Sequence, residues 1–462
     1  MVKDNILEAA KALINIITKA GYEAYIIGGK PRTMFHNQFH KDRIKAKDID
    51  IVTNAEIDSL KTLFPRSNDV GKAFNVLIVP FAGEDFEIAT YRSDNYYDED
   101  GNKLLDPIVS TVKTLNEDRA RRDFSINSIA LTNKGEFVDY TFIYENEKYS
   151  GIEDIQNKII RAIGNPKERF FEDPLRILRA FRFMSQLGYE IEEKTLEGIN
   201  ECKQYLSVVP GERIGIELRK IIKGKYANDA LKLMNQYHIF SAKCLINNEQ
   251  TPILEMFENI DFDIEKFNKL EDRELEIWSE IIDNEHFNEL VKFNVFNKEE
   301  LNTIKWLINN KDLYNVEKDE DYIKAIANSI GKEEKKRDIH YLKMLIDRNN
   351  RKYIIKTGDK TKPEKMYFWL CARPYFVNQL HVTGQEILTS SKNKKDGKWV
   401  GELKNELLKK LTFAKNYPRP LEVYKNWLPN TMKELGVEID EEGFESIIKQ
   451  KEAEASNIAK PK

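Results

Sequence analysis

The first 145 or so residues alternate between two periodicities. The opening stretch, MVKDNILEAAKALINIITKAG, spaces its apolar residues at helical intervals among charges and predicts an amphipathic helix. Short runs of strand character follow: EAYIIGG, DIDIVT, FNVLIVP, DFEIATY, INSIALT and EFVDYT. Gly, Asp and Asn punctuate them, and helical stretches such as NAEIDSLKTLF stand between. This predicts an α/β head on a small sheet. From about residue 152 strand signals fade and helical periodicity dominates, as in GERIGIELRKIIKGKYANDALKLMNQY and EELNTIKWLINNKDLY. The expected fold class is α+β, a mixed head followed by helices.

One helical segment carries an unusual pattern. EDPLRILRAFRF, residues 172–183, reads as one continuous helix whose apolar residues point nearly all round, which predicts burial. Yet Asp173, Arg176, Arg179 and Arg182 recur at every third position, and buried charge is costly unless paired. The residues alone allow a buried ion-pair ladder, with Asp173 bonded to Arg176. They also allow a slanted stripe of ligand-binding groups, each step drifting roughly 60° around the axis.

Composition narrows the classes. The chain has 462 residues, 41% hydrophobic and 32% charged, which describes a globular protein of two to four domains. Its net charge of −4 gives no global basic footprint, so nucleic acid would have to be bound through local patches. Cys202, Cys244 and Cys371 are far apart and form no CxxC pair, which fits a reducing compartment. The amphipathic start is not a signal peptide, and no apolar run approaches the roughly 18 residues of a membrane span. A cytoplasmic protein is expected.

Three motifs carry candidate chemistry. In KDIDIVT, Asp48 and Asp50 project from one face of a strand, roughly 6–7 Å apart, where both could meet a small divalent ion such as Mg²⁺. An edge strand with a polar outer face shows the same pattern. YIIGGKPR places Gly28 and Gly29 at a strand end, where backbone N–H groups can approach phosphate, with Arg32 as a nearby cation. RRDFSINSIA sets Arg121, Arg122 and Asp123 before an apolar segment; Asp123 could cap a helix or accept from a ribose hydroxyl.

Taken in order, these motifs together with FEIATYR, RRDFSIN, GIEDIQNKIIRAIGNPKERFFEDPLRILRAFRF and GERIGIEL resemble the tRNA nucleotidyltransferase/poly(A) polymerase family. The likeness to this branch of the DNA polymerase beta superfamily runs to about residue 220. It implies a polymerase-beta-like nucleotidyltransferase head over 1–145, a helical neck over 146–235, a helical body over 236–360 and a helical, tRNA-binding tail over 361–462. It further implies catalysis by two Mg²⁺ ions held by Asp48 and Asp50, with Glu87 in FEIATYR a candidate third carboxylate. By the same resemblance Asp173 and Arg176 select the incoming nucleotide in place of a nucleic-acid template, and Arg179 and Arg182 support nucleotide and triphosphate. Gly28, Gly29, Arg32, Arg122 and Asp123 complete the implied nucleotide site.

The C-terminal LHVTGQEIL and KDGKWVGELKNELLKKL are similar to the tail of Gram-positive-type CCA-adding enzymes, with Lys404, Lys409, Lys410 and Lys415 as a candidate phosphate-binding face. RSDNYYDEDGNKLLDPIVSTVKTLNED occupies the place of the family's flexible loop. The implied reaction is addition and repair of the 3′-terminal CCA of tRNA from CTP and ATP, the protein gripping the tRNA 3′ end and its acceptor/T arm. A poly(A) polymerase or A-adding enzyme of the same family and, further off, a non-catalytic RNA-binding relative are the alternatives. Thr33 stands where the family has aspartate, Lys30-Pro31 replace a small-aliphatic pair, and Asn75 stands where glycine is common.

Overall fold

The opening periodicity is realised as α1 (Asn5–Lys19), which buries Leu7, Ala10, Leu13, Ile14 and Ile17. It packs on a sheet. β1 (Ala24–Ile27) leads into α2 (Gly29–Phe39), followed by β2 (Asp50–Thr53), α3 (Ile57–Leu63), β3 (Asn68–Asp69), β4 (Val76–Phe81) and β5 (Glu84–Thr90). Next come β6 (Arg92–Tyr97), β7 (Lys103–Thr111), α4 (Leu115–Ala120), β8 (Ala130–Leu131) and β9 (Phe137–Val138). This computed structural model describes residues 5–44, 49–69, 75–100, 102–247, 249–253, 273–309, 380–393, 395, 397–413 and 418–458. The chain divides into two units, residues 1–301 and 302–462.

Among the described residues seven strands join in the order β3-β4-β5-β2-β1-β8-β9. Their pairing is antiparallel except between β2 and β5, which run parallel. Alternation decides what each face carries. Ile26, Ile51, Leu77, Ile88 and Leu131 pack with the apolar stripe of α1 in one core cluster. Ile27, Val52, Tyr91, Leu115 and Ala130 form a second cluster. Asp50 and Glu87 therefore share the face opposite α1.

Two sequence expectations change here. The segment expected as a loop after FEIATYR is a hairpin, β6 paired with β7 from Arg92–Thr111 to Tyr97–Lys103. INSIALT is strand only at Ala130–Leu131, because Ser125–Asn127 turns as a 3₁₀ helix. That turn is stitched by side chains, Ser125 Oγ donating to Asp154 at 2.6 Å and Asn127 Nδ2 to Asp123 at 3.0 Å.

Beyond the sheet, β10 (Thr141–Tyr144) and β11 (Glu147–Ser150) form a hairpin that leads into α5 (Gly151–Asn157) and β12 (Ile159–Ile160). The neck continues with α6 (Pro166–Glu172), α7 (Leu175–Leu187), β13 (Glu190–Ile191), α8 (Glu193–Cys202), α9 (Gly211–Ile222) and α10 (Ala227–Gln236). Helices dominate, as expected, but two short strand pairs interrupt them. β12 pairs in parallel with β13, and β14 (Lys243–Ile246) pairs antiparallel with β15 (Glu249–Pro252).

The helix expected over residues 172–183 is broken. α6 ends at Glu172, and Asp173 is extended at φ −133° and ψ 97° before α7 begins. Pro174 is the cause, since its ring disfavours helical backbone in the residue before it. At the other end, Gly188 closes α7 with φ +67°, and a Cβ there would stand 2.6 Å from the Tyr226 ring.

In the second unit, helices Gly384–Thr389, Lys398–Phe413, Leu428–Glu434 and Glu441–Ile458 share a core including Leu403, Leu407, Tyr424, Leu428 and Met432. The expected body beyond residue 309, Cys371 and Lys415 lie outside the described residues. Among the described residues no helix is long and apolar enough to cross a membrane.

Candidate active site

The carboxylates on the open face of the head sheet come first. Asp50 begins β2, where it is the register partner of Ile27 on one side and of Glu87 on the other. Both acids are exposed. Adjacent strands lie about 4.8 Å apart, so the two side chains are neighbours on one face. That register is what the alternation of FEIATYR could not supply. Asp48, the other expected metal ligand, lies outside the described residues.

Gly28 links these acids to the chain before α2. Its φ is +82°, in the left-handed region, and an added Cβ would meet Asp50 Oδ2 at 3.1 Å. Gly29 opens α2, and Pro31 sits in its first turn, where a missing N–H costs nothing. Lys30-Pro31 thus suits a helix start. Arg32 turns inward, donating to Asn127 Oδ1 and lying 5.0 Å from the Phe183 ring. Burial pulls its pKa down to about 10.

The arginines of α7 resolve the puzzle of charge in a buried helix. Each pairs with an acid, and none of these acids is Asp173. Arg176 donates to Glu172 at 3.1 Å and to the Arg121 carbonyl at 2.9 Å. Arg179 donates from Nε to Asp123 Oδ2 at 2.8 Å. Arg182 donates to Glu217 of α9 at 2.9 Å. Three guanidinium groups surround Phe183, those of Arg32, Arg179 and Arg182 at 5.0, 5.7 and 4.6 Å from its centroid.

Asp123 is engaged at both carboxylate oxygens. Its Oδ1 accepts from the Phe124 N–H at 2.8 Å and from Asn127, and its Oδ2 accepts from Arg179. Burial alone would raise its pKa, but Arg179, Asn127 and Arg176 together hold it well below the usual carboxylate range. The helix-cap expectation is replaced by this tie between head and neck.

Head and neck residues together line a cleft of about 520 Å³, whose walls carry six arginines against three aspartates. Of the residues expected from sequence, Arg122, Asp123, Asp173, Arg176 and Arg179 meet there; Gly28, Gly29, Arg32, Asp50 and Arg182 do not line it. Arg122 is held by Asp118 at 2.9 Å. Asp173, outside both helices, accepts the Leu175 N–H at 3.2 Å. The β6–β7 hairpin supplies Arg92, Asp94, Tyr96 and Pro107, which the local sequence pattern marks only as part of a loop. Arg213, in the quoted GERIGIEL, also lines the cleft.

The hairpin is held at two places, to the head's α4 and to the neck. Arg121 bridges Asp94 at 3.0 Å and Asp118 at 2.7 Å. Near the hairpin turn, the Lys103 ammonium donates to the Phe171 carbonyl and lies 4.0 Å from the Phe171 centroid.

In the second unit, the lysines expected to face phosphate are partly engaged. Lys410 pairs with Glu434, and Lys409 lies 3.8 Å from Glu406.

Residues 24–161 match the family described as the poly A polymerase head domain, and residues 188–242 match one described as "Probable RNA and SrmB- binding site of polymerase A". A CCA-adding enzyme of Bacillus licheniformis is 38% identical over 223 residues, 48% of this chain and 52% of that protein. One from Enterococcus faecalis is 39% identical over 220 residues, 48% of this chain and 50% of that protein. The chain spans about half the length of these two relatives in those alignments. A Bacillus cereus CCA-adding enzyme is 29% identical over 86% of this chain and 92% of its own length. Among solved structures, the Bacillus stearothermophilus CCA-adding enzyme in complex with CTP has the same fold. It superposes with a TM-score of 0.64 at 21% identity over 93% of this chain and 99% of that one.

Proposed function

Residues 24–161 match the poly A polymerase head domain, and from that match we propose that the protein is a CCA-adding tRNA nucleotidyltransferase. It builds and repairs the 3′ end of tRNA from CTP and ATP without a nucleic-acid template. The relatives named as CCA-adding enzymes support the reading. So does a Thermotoga maritima CCA-adding enzyme complexed with tRNA, whose fold this chain shares at a TM-score of 0.58 and 20% identity.

The observation that carries the reading is the cationic cleft in which Asp173 stands beside Arg176 and Arg179. Cytosine and adenine each present an amino donor next to a ring-nitrogen acceptor. A carboxylate accepts from the first and a guanidinium donates to the second. Uracil and guanine reverse that order and would leave buried groups unpaired, which a site of this kind rejects strongly. Asp173 and Arg176 are therefore assigned to the base. Arg122 and Arg179, each steadied by an aspartate, are assigned to the triphosphate. Arg182 supports α7 through Glu217.

Asp50 and Glu87, with Asp48, would hold Mg²⁺. Hard carboxylate oxygens suit that ion, and the missing side chain of Gly28 leaves room beside Asp50 Oδ2. When bound, the metal offsets triphosphate charge and lowers the pKa of the RNA 3′-hydroxyl. Gly28 and Gly29 let backbone N–H groups at the start of α2 approach phosphate, with Arg32 packed beneath. The neck and the C-terminal unit, with Lys404, are assigned to the tRNA.

The test supplies a tRNA transcript ending at the discriminator base, with Mg²⁺ and each nucleotide singly, then CTP with ATP. Two additions with CTP alone and three with both are expected. Long adenosine ladders on any RNA would instead make the protein a poly(A) polymerase.

A further inference from the structure

Arg213 stands apart from the other cleft arginines. Arg121, Arg122, Arg176 and Arg179 each donate to a carboxylate, at 2.7, 2.9, 3.1 and 2.8 Å. Arg213 makes no hydrogen bond to a described residue and is 45% exposed, and its guanidinium lies 3.9 Å from Asp173 Oδ1. That distance is too long for a hydrogen bond but close enough for charge attraction.

The scaffold fixes where Arg213 stands. It is the third residue of α9, one turn before Glu217, whose pair with Arg182 ties α9 to α7. Ile214 and Leu218 are buried beside it. Asp173 has no helix of its own to hold it. Its Oδ1 accepts the Leu175 N–H at 3.2 Å, while Oδ2 has no hydrogen-bond partner among the described residues.

We propose that Arg213 is a positioning residue for the base-selecting carboxylate of Asp173. Together with the Leu175 N–H, its charge anchors Oδ1 and leaves Oδ2 turned to the cleft as the acceptor for the amino group of cytosine or adenine. This rests on the assignment of Asp173 as a selector. Arg213 itself touches neither base nor metal.

The test compares kcat/KM for CTP and UTP on a tRNA lacking its last three nucleotides, in the wild type and in Arg213→Ala, Arg213→Lys, Asp173→Asn and the double variant Arg213→Ala/Asp173→Asn. Arg213→Ala is expected to lose on the order of tenfold in discrimination, with tRNA affinity and unfolding midpoint unchanged. Arg213→Lys restores most of it, and Arg213→Ala adds nothing once Asp173 is Asn. Unchanged discrimination in Arg213→Ala, or an equal loss in the Asp173→Asn background, overturns the proposal. Weakened tRNA binding with discrimination intact also overturns it and makes Arg213 an RNA contact. A wild type that does not prefer CTP and ATP overturns the functional reading beneath it.

Discussion

Arg179 donates to Asp123 at 2.8 Å across 56 residues of sequence, joining the first helix after the Pro174 break to the segment that follows the head's α4. The carboxylate is buried, and both its oxygens serve the protein. The wall of the cleft is thereby set before any ligand arrives, so the site is preorganised by an ion pair and not by apolar packing alone.

A pH dependence follows from that pair. The folded pKa of Asp123 is depressed, so its stabilisation is fully present above the unfolded value of about 3.9 and is lost as pH falls through the folded value. Asp123→Asn should cost about 2 kcal/mol at pH 7, because Arg179 loses its charged acceptor. Urea unfolding at a series of pH values should show the gap between the two proteins closing only below about pH 4. A gap that does not change with pH would remove the ionised carboxylate from the account.

Arg182 and Glu217 make a second buried pair, between α7 and α9. Removing one partner leaves the other charge buried, so Arg182→Ala or Glu217→Ala should destabilise by about 3–5 kcal/mol. Replacing both by Met and Leu should cost much less. Thermal unfolding of the three variants checks this.

At Gly28 two demands coincide, a φ of +82° and the approach of Asp50 Oδ2. Gly28→Ala should cost about 1–2 kcal/mol of stability and reduce nucleotide incorporation further than that strain explains. Asp50→Ala should abolish incorporation. Filter binding should find tRNA affinity nearly unchanged in both.

Lys103 pins the hairpin to the neck, one residue from Glu172 and two from Asp173 in its carbonyl contact at Phe171. Burial pushes its ammonium pKa down. Lys103→Ala should speed limited proteolysis at Asp98–Asp100 several-fold while leaving the global unfolding midpoint in place. Equal cleavage rates would mean that the latch is dispensable.

What could be read from the chain differed by kind of residue. The apolar stripe of α1 and the alternation in DIDIVT are local patterns, and both were realised where the residues are described. The break at Asp173 was written in the same letters, because a proline constrains its predecessor, but the helical periodicity on either side outweighed it. Glu87 needed a register, which pairing across strands decides and no single strand contains. The acids that satisfy Arg179 and Arg182 lie 56 and 35 residues away, so regular spacing suggested a pairing with Asp173 that the fold does not make. Arg213 sat inside a quoted motif, yet only tertiary placement brings it to the cleft.

The central claim is that protein side chains, not a nucleic-acid strand, dictate what is added. It is tested most directly by giving the purified, nucleic-acid-free protein a tRNA ending at its discriminator base, with all four nucleotides at equal concentration, and sequencing the product ends. CCA followed by arrest is the expected product. Mixed sequences, or an open-ended homopolymer, would contradict it.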